Sequence, residues 1–423
     1  MQVTILTIGS RGDVQPYVAL GKGLRSAGHA VKLSTHAEFG PFARLHGLDF
    51  ARLHGNPQEL LAGDLGQEFL GTGQNPVRFL RAFARIASEM MRDILRDSLA
   101  ACQGADLILF SVNGWFGAQP IMEKLRIPGM AAYLQPVSPT RAFPSISFPV
   151  GLHLGGLFNR LTYPVSQELG WQLLRDPLNA ARKEVLGLPP VPFWSPFERM
   201  HRERFPILYG YSPRVLPKPK DWGDWLTPTG YWFLDQEEGW RPPASLVSFL
   251  EAGPPPVYLG FGSMRDRNPE QTTRLALEAL ELAGQRGLLL AGWGSLGEAD
   301  LPESVYRLES APHEWVFPRV AAAVHHGGAG TTAASLRSGT PTVTAPYFAD
   351  QPFWGQRVFE LGAGPRPIPR KRLTAQNLAA AIQVAVQDRE MRRTAAELGA
   401  ALRLEDGVGR AVEIIERLFD GHL

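Results

Sequence analysis

Short apolar runs alternate with longer amphipathic stretches along this chain, and the alternation occurs twice. That rhythm predicts an α/β architecture in which buried strands are joined by helices. In the first series, Val3–Ile8, Ala30–Thr35, Asp106–Ser111, Gly129–Gln135 and Pro206–Ser212 read as strands. Gln15–Gly28 and Pro76–Ala101 read as helices, the first stopped by Gly28. Pro213–Pro256 breaks the rhythm with prolines and tryptophans, and reads as an interdomain linker holding one or two short strands. A second series follows, with strands at Pro256–Met264, Arg286–Gly294, Val320–Val324 and Thr340–Pro346. The expected organisation is therefore two Rossmann-like halves, 1–235 (with the linker from about 213) and 236–400. A final helix, 401–423, places Val408, Val412, Ile415 and Phe419 at near-helical spacing, and crosses back to the first half.

The 423 residues suffice for two or three domains. A net charge of +2 gives no polyanion-binding stripe, which argues against a nucleic-acid partner. Cys102, the single cysteine, excludes an intrachain disulfide and a cysteine-based zinc site. The first residues read as a strand rather than a signal peptide, and no apolar run reaches the roughly 18 residues of a membrane span. The simplest expectation is a cytoplasmic protein. No sequence signal sets an oligomeric state.

Chemistry concentrates where strands end. "VHHGGAGTT", Val324–Thr332, puts glycines between a strand and the first turns of a helix. Glycine lets backbone N–H groups approach a ligand closely, and a helix N-terminus favours an anion, most often a phosphate. "TIGSRGDVQP", Thr7–Pro16, is a second strand-to-helix turn. Its Asp13 has two readings, a helix N-cap or a general base raised toward neutrality by burial. The turn lacks the G-x-G-x-x-G spacing of a dinucleotide site. "GFGSM", Gly260–Met264, is the equivalent turn of the second half, where Gly262 and Ser263 offer an N–H and a hydroxyl. His313 and Trp315 in "APHEWVFPRV" either flank a planar ring or pack in the core. Adjacent His325 and His326 point to opposite faces of a strand end, which argues against a shared metal. Asp350 and Gln351, side by side in a strand-end loop, suit the hydroxyls of a sugar.

Three stretches carry a resemblance: "GSRGDVQPYVALGKGL" near the start, "PHEWVFPRVAAAVHHGGAGTTAASLRSGTPTV", and "DQPFWGQRVFELGAGPRPIPRKRLT" (Asp350–Thr374). They closely resemble the sterol 3-β-glucosyltransferase branch of the nucleotide-sugar-dependent glycosyltransferases. They also look like the glycosyltransferases of glycopeptide-antibiotic synthesis. The resemblance is strong at both ends and weak from about Gly55 to Gly230.

The resemblance implies a GT-B fold, two Rossmann-like domains facing across a cleft, with acceptor on the first and donor on the second. It implies inversion at the anomeric carbon without a metal or cofactor, the UDP-sugar being a co-substrate. His326 and the loop Gly328, Ala329, Gly330, Thr331 and Thr332 would hold the diphosphate. His313, the backbone of Val316 and Trp293 would hold the uracil, and Asp350 and Gln351 the hexose. Asp13 matches the family's base, and Ser10, Arg11 and Gly12 of its turn, with Gly262 and Ser263, are expected at the donor. The partners would be a UDP-hexose and an apolar alcohol such as a sterol, which brings a transient contact with a membrane surface. Arg141–Trp171, long and poor in charge, is expected to form the acceptor pocket through Phe143, Phe148 and Leu152. Two rivals are a nucleotide-sugar 2-epimerase and a non-catalytic nucleotide-sugar sensor.

Overall fold

The computed structural model describes residues 1–56, 76–148, 151, 154–234, 240–261, 269–290 and 301–419. The chain divides into two compact units. One is Met1–Leu234 together with Asp406–Leu423, and the other is Asp235–Glu405.

The first unit is built on a seven-stranded parallel sheet. Its strands are β1 (Gln2–Leu6), β2 (Ala30–His36), β3 (Asp49–Leu53), β4 (Leu107–Phe110), β5 (Gly129–Tyr133), β6 (Ile207–Tyr209) and β7 (Leu226–Pro228). Their spatial order is β3-β2-β1-β4-β5-β6-β7. Its helices are α1 (Arg11–Ser26), α2 (Gly40–Leu45), α3 (Pro76–Ala101), α4 (Trp115–Leu125), α5 (Gly156–Ala181) and α6 (Phe197–Arg202). The registers Val3↔Val31, Ile5↔Leu33, Ile5↔Leu109 and Leu109↔Met130 align apolar side chains on one face. Against them α1 buries Val14, Tyr17, Val18, Leu20 and Leu24. Parallel strands covered on both faces read as continuous apolar runs, which is why β1, β2, β4, β5 and β6 were legible, whereas β3, of which only Leu53 is buried, was not.

The second unit holds a five-stranded parallel sheet, β8 (Val257–Gly260), β9 (Gly287–Leu290), β10 (Val305–Leu308), β11 (Ala322–His325) and β12 (Thr342–Thr344), in the order β10-β9-β8-β11-β12. Its helices are α7 (Ala244–Glu251), α8 (Pro269–Ala283), α9 (His313–Val316), α10 (Ala329–Ser338), α11 (Gln351–Glu360), α12 (Ala375–Gln387) and α13 (Arg389–Arg403). The last helix, α14 (Gly407–Phe419), packs in the first unit, where Ala411, Val412, Ile414 and Ile415 join the α1 core.

In each sheet the strand order reverses between the first strand and a later neighbour, β1 beside β4 and β8 beside β11. Open α/β sheets bind ligands at such a switch point, outside the carboxyl ends of the strands. The turns after β1 and β11 are the Asp13 and His326 turns.

The Trp- and Pro-rich stretch from Pro213 is more ordered than a linker. Trp222 stacks on Tyr209 at 4.9 Å and its Nε1 donates to the Pro139 carbonyl at 3.2 Å. Trp232 packs edge-on to Tyr17 and donates to Thr229 Oγ1 at 2.9 Å. Farther on, α7 buries Leu246 completely. Proline and tryptophan hid this because neither follows a helical or strand period.

Candidate functional site

The turn after β1 is closed by its own side chains. Ser10 is the N-cap of α1, and Asp13 is the third helical residue. Asp13 Oδ2 accepts the Ser10 N–H at 2.9 Å and the Ser10 Oγ–H at 3.1 Å, the backward half of a capping box. Thr7 Oγ1 donates to the Asp13 carbonyl at 2.7 Å. Asp13 is thus not the N-cap, and the helix begins earlier than the glycines suggested because Ser10 supplies the cap. Burial raises the carboxyl pKa, partly offset by the two Ser10 hydrogen bonds. Oδ1 has no partner among the described residues. Arg11 bonds Gln15 Oε1 at 3.0 Å and lies over the Phe42 ring at 5.0 Å, while Gly12 is exposed.

Beside this turn the first unit holds a cavity of about 210 Å³. Val112 and Asn113, just past β4, form one end of its lining, and Asn113 Nδ2 donates to the Ile8 carbonyl at 3.3 Å. The cavity runs between the sheet (Tyr133, Ile207, Leu226) and the helices α4 (Trp115, Phe116), α5 (Trp171, Leu174) and α6 (Phe197, Met200, His201). Buried Arg182, just past α5, pairs through Nη2 with both Glu123 oxygens at 3.0 and 2.9 Å and ties two of these walls. The lining is mostly apolar, and the indole Nε1 atoms of two lining residues, Trp115 and Trp225, are buried without a hydrogen-bond partner among the described residues. Burial, with the positive Arg160 nearby, holds His201 below its ordinary pKa.

Phe143 and Phe148, expected at the acceptor, are not among the residues that line this cavity. Their segment is pinned to the start of α5 instead. Ser145 N–H donates to Thr162 Oγ1 at 2.8 Å, Tyr163 Oη to the Phe143 carbonyl at 3.2 Å, and Asn159 Nδ2 to the Arg141 carbonyl at 3.0 Å. Phe148 packs edge-on to Phe158. Leu152 lies outside the described residues.

In the second unit the β11 turn divides its two histidines. His325 is fully buried, its Nδ1 accepting the Gly327 N–H at 2.9 Å and its Nε2 lying 3.3 Å from Ser335 Oγ. Those partners assign a neutral ring protonated on Nε2, and burial holds its pKa well below the usual value. His326 is 9% exposed, its Nδ1 has no partner among the described residues, and burial lowers its pKa to about 4. The rings lie 72° apart, as expected for neighbours at a strand end. Gly327 has φ +85°, and a side chain there would meet the Gln351 carbonyl. A Cβ on Gly328 would lie 2.4 Å from His326 Nε2, so only glycine lets the ring lie against the loop.

Gly328 is the N-cap of α10, and the first bond into the helix runs from Thr332 N to Gly328 O at 2.9 Å. The amides of Ala329, Gly330 and Thr331 precede that bond and have no intrahelical acceptor. No atom stands within 4 Å of a Cβ on Gly330, so the loop surface is open there. Thr332 Oγ1 is buried without a partner among the described residues. Free N–H groups, the positive end of the helix and two unsatisfied polar side chains suit an anion.

Asp350 caps α11, and its Oδ2 accepts Trp354 Nε1 at 3.0 Å. The preceding Ala349 has φ +54°, a strained conformation of the kind that clusters at functional sites. Gln351 is buried, its Oε1 accepting the Tyr347 N–H at 2.9 Å, so that oxygen braces the loop. His313 stacks on Phe317 at 4.6 Å, and Trp315 packs on the core beneath Arg319. The Val316 N–H is engaged with the Pro312 carbonyl at 3.1 Å. Gly262, Ser263 and Trp293 lie outside the described residues. Sequence reading missed the bracing by His325, which adjacency of two histidines cannot reveal, and the Trp354 contact, for which the i, i+4 spacing from Asp350 is a signal.

Solved structures share this architecture end to end. The glycosyltransferase of kitacinnamycin superposes with a TM-score of 0.71 over 99% of both chains at 20% identity. The calicheamicin glycosyltransferase CalG4 gives 0.69 over 100% of this chain and 98% of that one, at 17% identity. This is the GT-B glycosyltransferase fold. A further GT-B neighbour, Streptomyces sp. SF2575 SsfS6, was solved with thymidine diphosphate, with a TM-score of 0.62 over 99% of both chains at 20% identity. Residues 3–144 match the glycosyltransferase family 28 N-terminal domain, and residues 294–412 match the erythromycin biosynthesis protein CIII-like C-terminal domain. The chain is also similar to the sterol 3-beta-glucosyltransferases of Neosartorya fischeri, 40% identical over 430 residues, and Cryptococcus neoformans, 39% over 442. Each match covers 99% of this chain, but the chain spans only 29% and 27% of those proteins' lengths.

Proposed function

We propose that this chain transfers glucose from UDP-glucose to the hydroxyl of an apolar polycyclic alcohol such as a sterol, with inversion and without a metal. One observation carries the reading. The apolar cavity is joined, through Asn113 and the Ile8 carbonyl, to the turn that holds a carboxylate of raised pKa. An apolar alcohol seated there brings its hydroxyl toward a base.

In this reading Asp13 Oδ1 takes the proton as the acceptor oxygen attacks the anomeric carbon. The α10 amides, His326 and Thr332 hold the diphosphate as the glycosidic bond breaks and its charge grows. Those donors do the work a divalent cation does elsewhere. Asp350 and Gln351 hold the hexose. The sterol 3-beta-glucosyltransferases named above support the choice of sugar and acceptor.

Mass spectrometry of products from UDP-glucose and a panel of apolar alcohols tests this. The expected product is a β-glucoside, with a rate unchanged by a chelator. Release of UDP that no acceptor accelerates, or no turnover of donor at all, overturns it.

A further inference from the structure

Helix α5 walls the cavity with Ser166, Gly170, Trp171 and Leu174, yet it carries a second apolar side facing solvent. Leu157, Leu161, Val165 and Leu169 recur every fourth residue and are 66%, 54%, 57% and 40% exposed. Leu154, just before the helix, is 63% exposed. Every-fourth spacing puts the helical four on successive turns of one side. Single exposed leucines are ordinary, whereas a file of five marks a contact surface.

The strip continues beyond Val165. Glu168 and Gln172 lie three and seven residues on, on the same side. They hold the next loop, Glu168 Oε2 accepting the Ser195 N–H at 3.0 Å and Gln172 Nε2 donating to the Phe193 carbonyl at 2.8 Å. That loop presents Phe193 and Trp194, 54% and 71% exposed.

We propose that this side of α5 lies on the surface of a lipid bilayer, so that the acceptor enters the cavity directly from lipid. Two features favour lipid over a protein partner. Between 154 and 169 the other exposed residues are Gly155, Arg160 and Pro164, and the half-buried carboxylate on this side, Glu168, is held by the Ser195 N–H and Gln172 Nε2, so the exposed strip is aliphatic with one charge. Trp194 at the far end is of the type that settles at a membrane–water interface. Among the described residues no helix is long and apolar enough to cross a membrane, so the contact is one of lying on it. Docking stands on the strip alone; delivery of the acceptor also rests on the reading of the cavity above.

The test is flotation of the full chain with phosphatidylcholine vesicles, with and without phosphatidylglycerol. The wild type should float with the vesicles. The triple change Leu157→Ser, Leu161→Ser, Val165→Ser should reduce partitioning about tenfold or more. The triple variant should lose transfer to a vesicle-borne sterol while keeping it for the same sterol in detergent. A wild type that floats with neither vesicle overturns the proposal. So does a wild-type dimer that the triple change converts to a monomer, which makes the strip a contact between copies. Flotation without transfer in either medium sustains the docking surface and overturns the acceptor reading instead.

Discussion

Both hydrogen bonds from Ser10 to Asp13 fall on one carboxylate oxygen. Oδ2 accepts the N–H at 2.9 Å and the Oγ–H at 3.1 Å, while Oδ1 has no partner among the described residues. Capping and proton abstraction are therefore not competing roles for Asp13; each has its own oxygen. Asp13→Asn preserves the shape and removes the proton acceptor. Turnover should fall about 10²–10⁴-fold, with UDP affinity by calorimetry unchanged. Turnover within a few-fold of wild type would leave Asp13 a helix residue only.

Ser10 lowers the Asp13 pKa against the larger effect of burial. Ser10→Ala deletes the hydroxyl bond and keeps the backbone one. The acid limb of the pH profile of kcat/KM should move to higher pH, because the carboxylate then ionises later. An unmoved limb assigns that limb to another group.

His326 is neutral in the free protein, with its pKa lowered to about 4 by burial. A diphosphate beside it favours the charged ring, so UDP binding should take up a proton near pH 6. Calorimetry in buffers of different ionisation enthalpy measures that uptake. His326→Ala should abolish it and weaken UDP binding by about 1–3 kcal/mol. Equal proton uptake in the variant assigns the proton elsewhere.

Trp354 Nε1 donates to Asp350 Oδ2 at 3.0 Å and orients the carboxylate proposed to hold the hexose. Trp354→Phe deletes that bond and keeps an aromatic ring. KM for UDP-glucose should rise several-fold while the Kd of UDP alone stays the same. Parallel loss of both would mean that the change disturbs the loop as a whole.

Stability should depend on pH through buried histidines. His36 and His326 have pKa values lowered to about 4, and burial holds His325 well below its usual value. Between about pH 6.5 and 4 the unfolded chain binds protons that the folded one does not. Stability is full above about pH 6.5 and falls as the pH drops through that window, by up to about 3 kcal/mol for each of His36 and His326. Thermal melts at pH 7 and pH 5 read this out, and His36→Gln with His326→Gln should reduce the difference, leaving the part that His325 contributes.

Much of this was legible in the sequence. Strand–glycine–helix junctions at Gly9 and Gly327 announced both turns, since a parallel strand must be apolar throughout and its exit must turn. The apolar cavity was not legible. Its walls come from residues between 112 and 226, gathered from three strands and three helices. Phe143 and Phe148 had the right composition, but bonds from Ser145 and Tyr163 draw their segment onto α5.

The sequence by itself determined two α/β units and the two glycine turns at which strands give way to helices. These follow from periodicity and backbone sterics, which are local. Tertiary structure decided the rest. It chose which of two adjacent histidines braces the loop and which keeps an unpaired ring nitrogen among the described residues, which oxygen of Asp13 stays open, and which side of α5 lines the cavity. It also set Ala349 at φ +54° ahead of Asp350. Each of those outcomes turns on a contact between residues distant in the chain or on a backbone angle held by its surroundings, and neither leaves a period in the sequence.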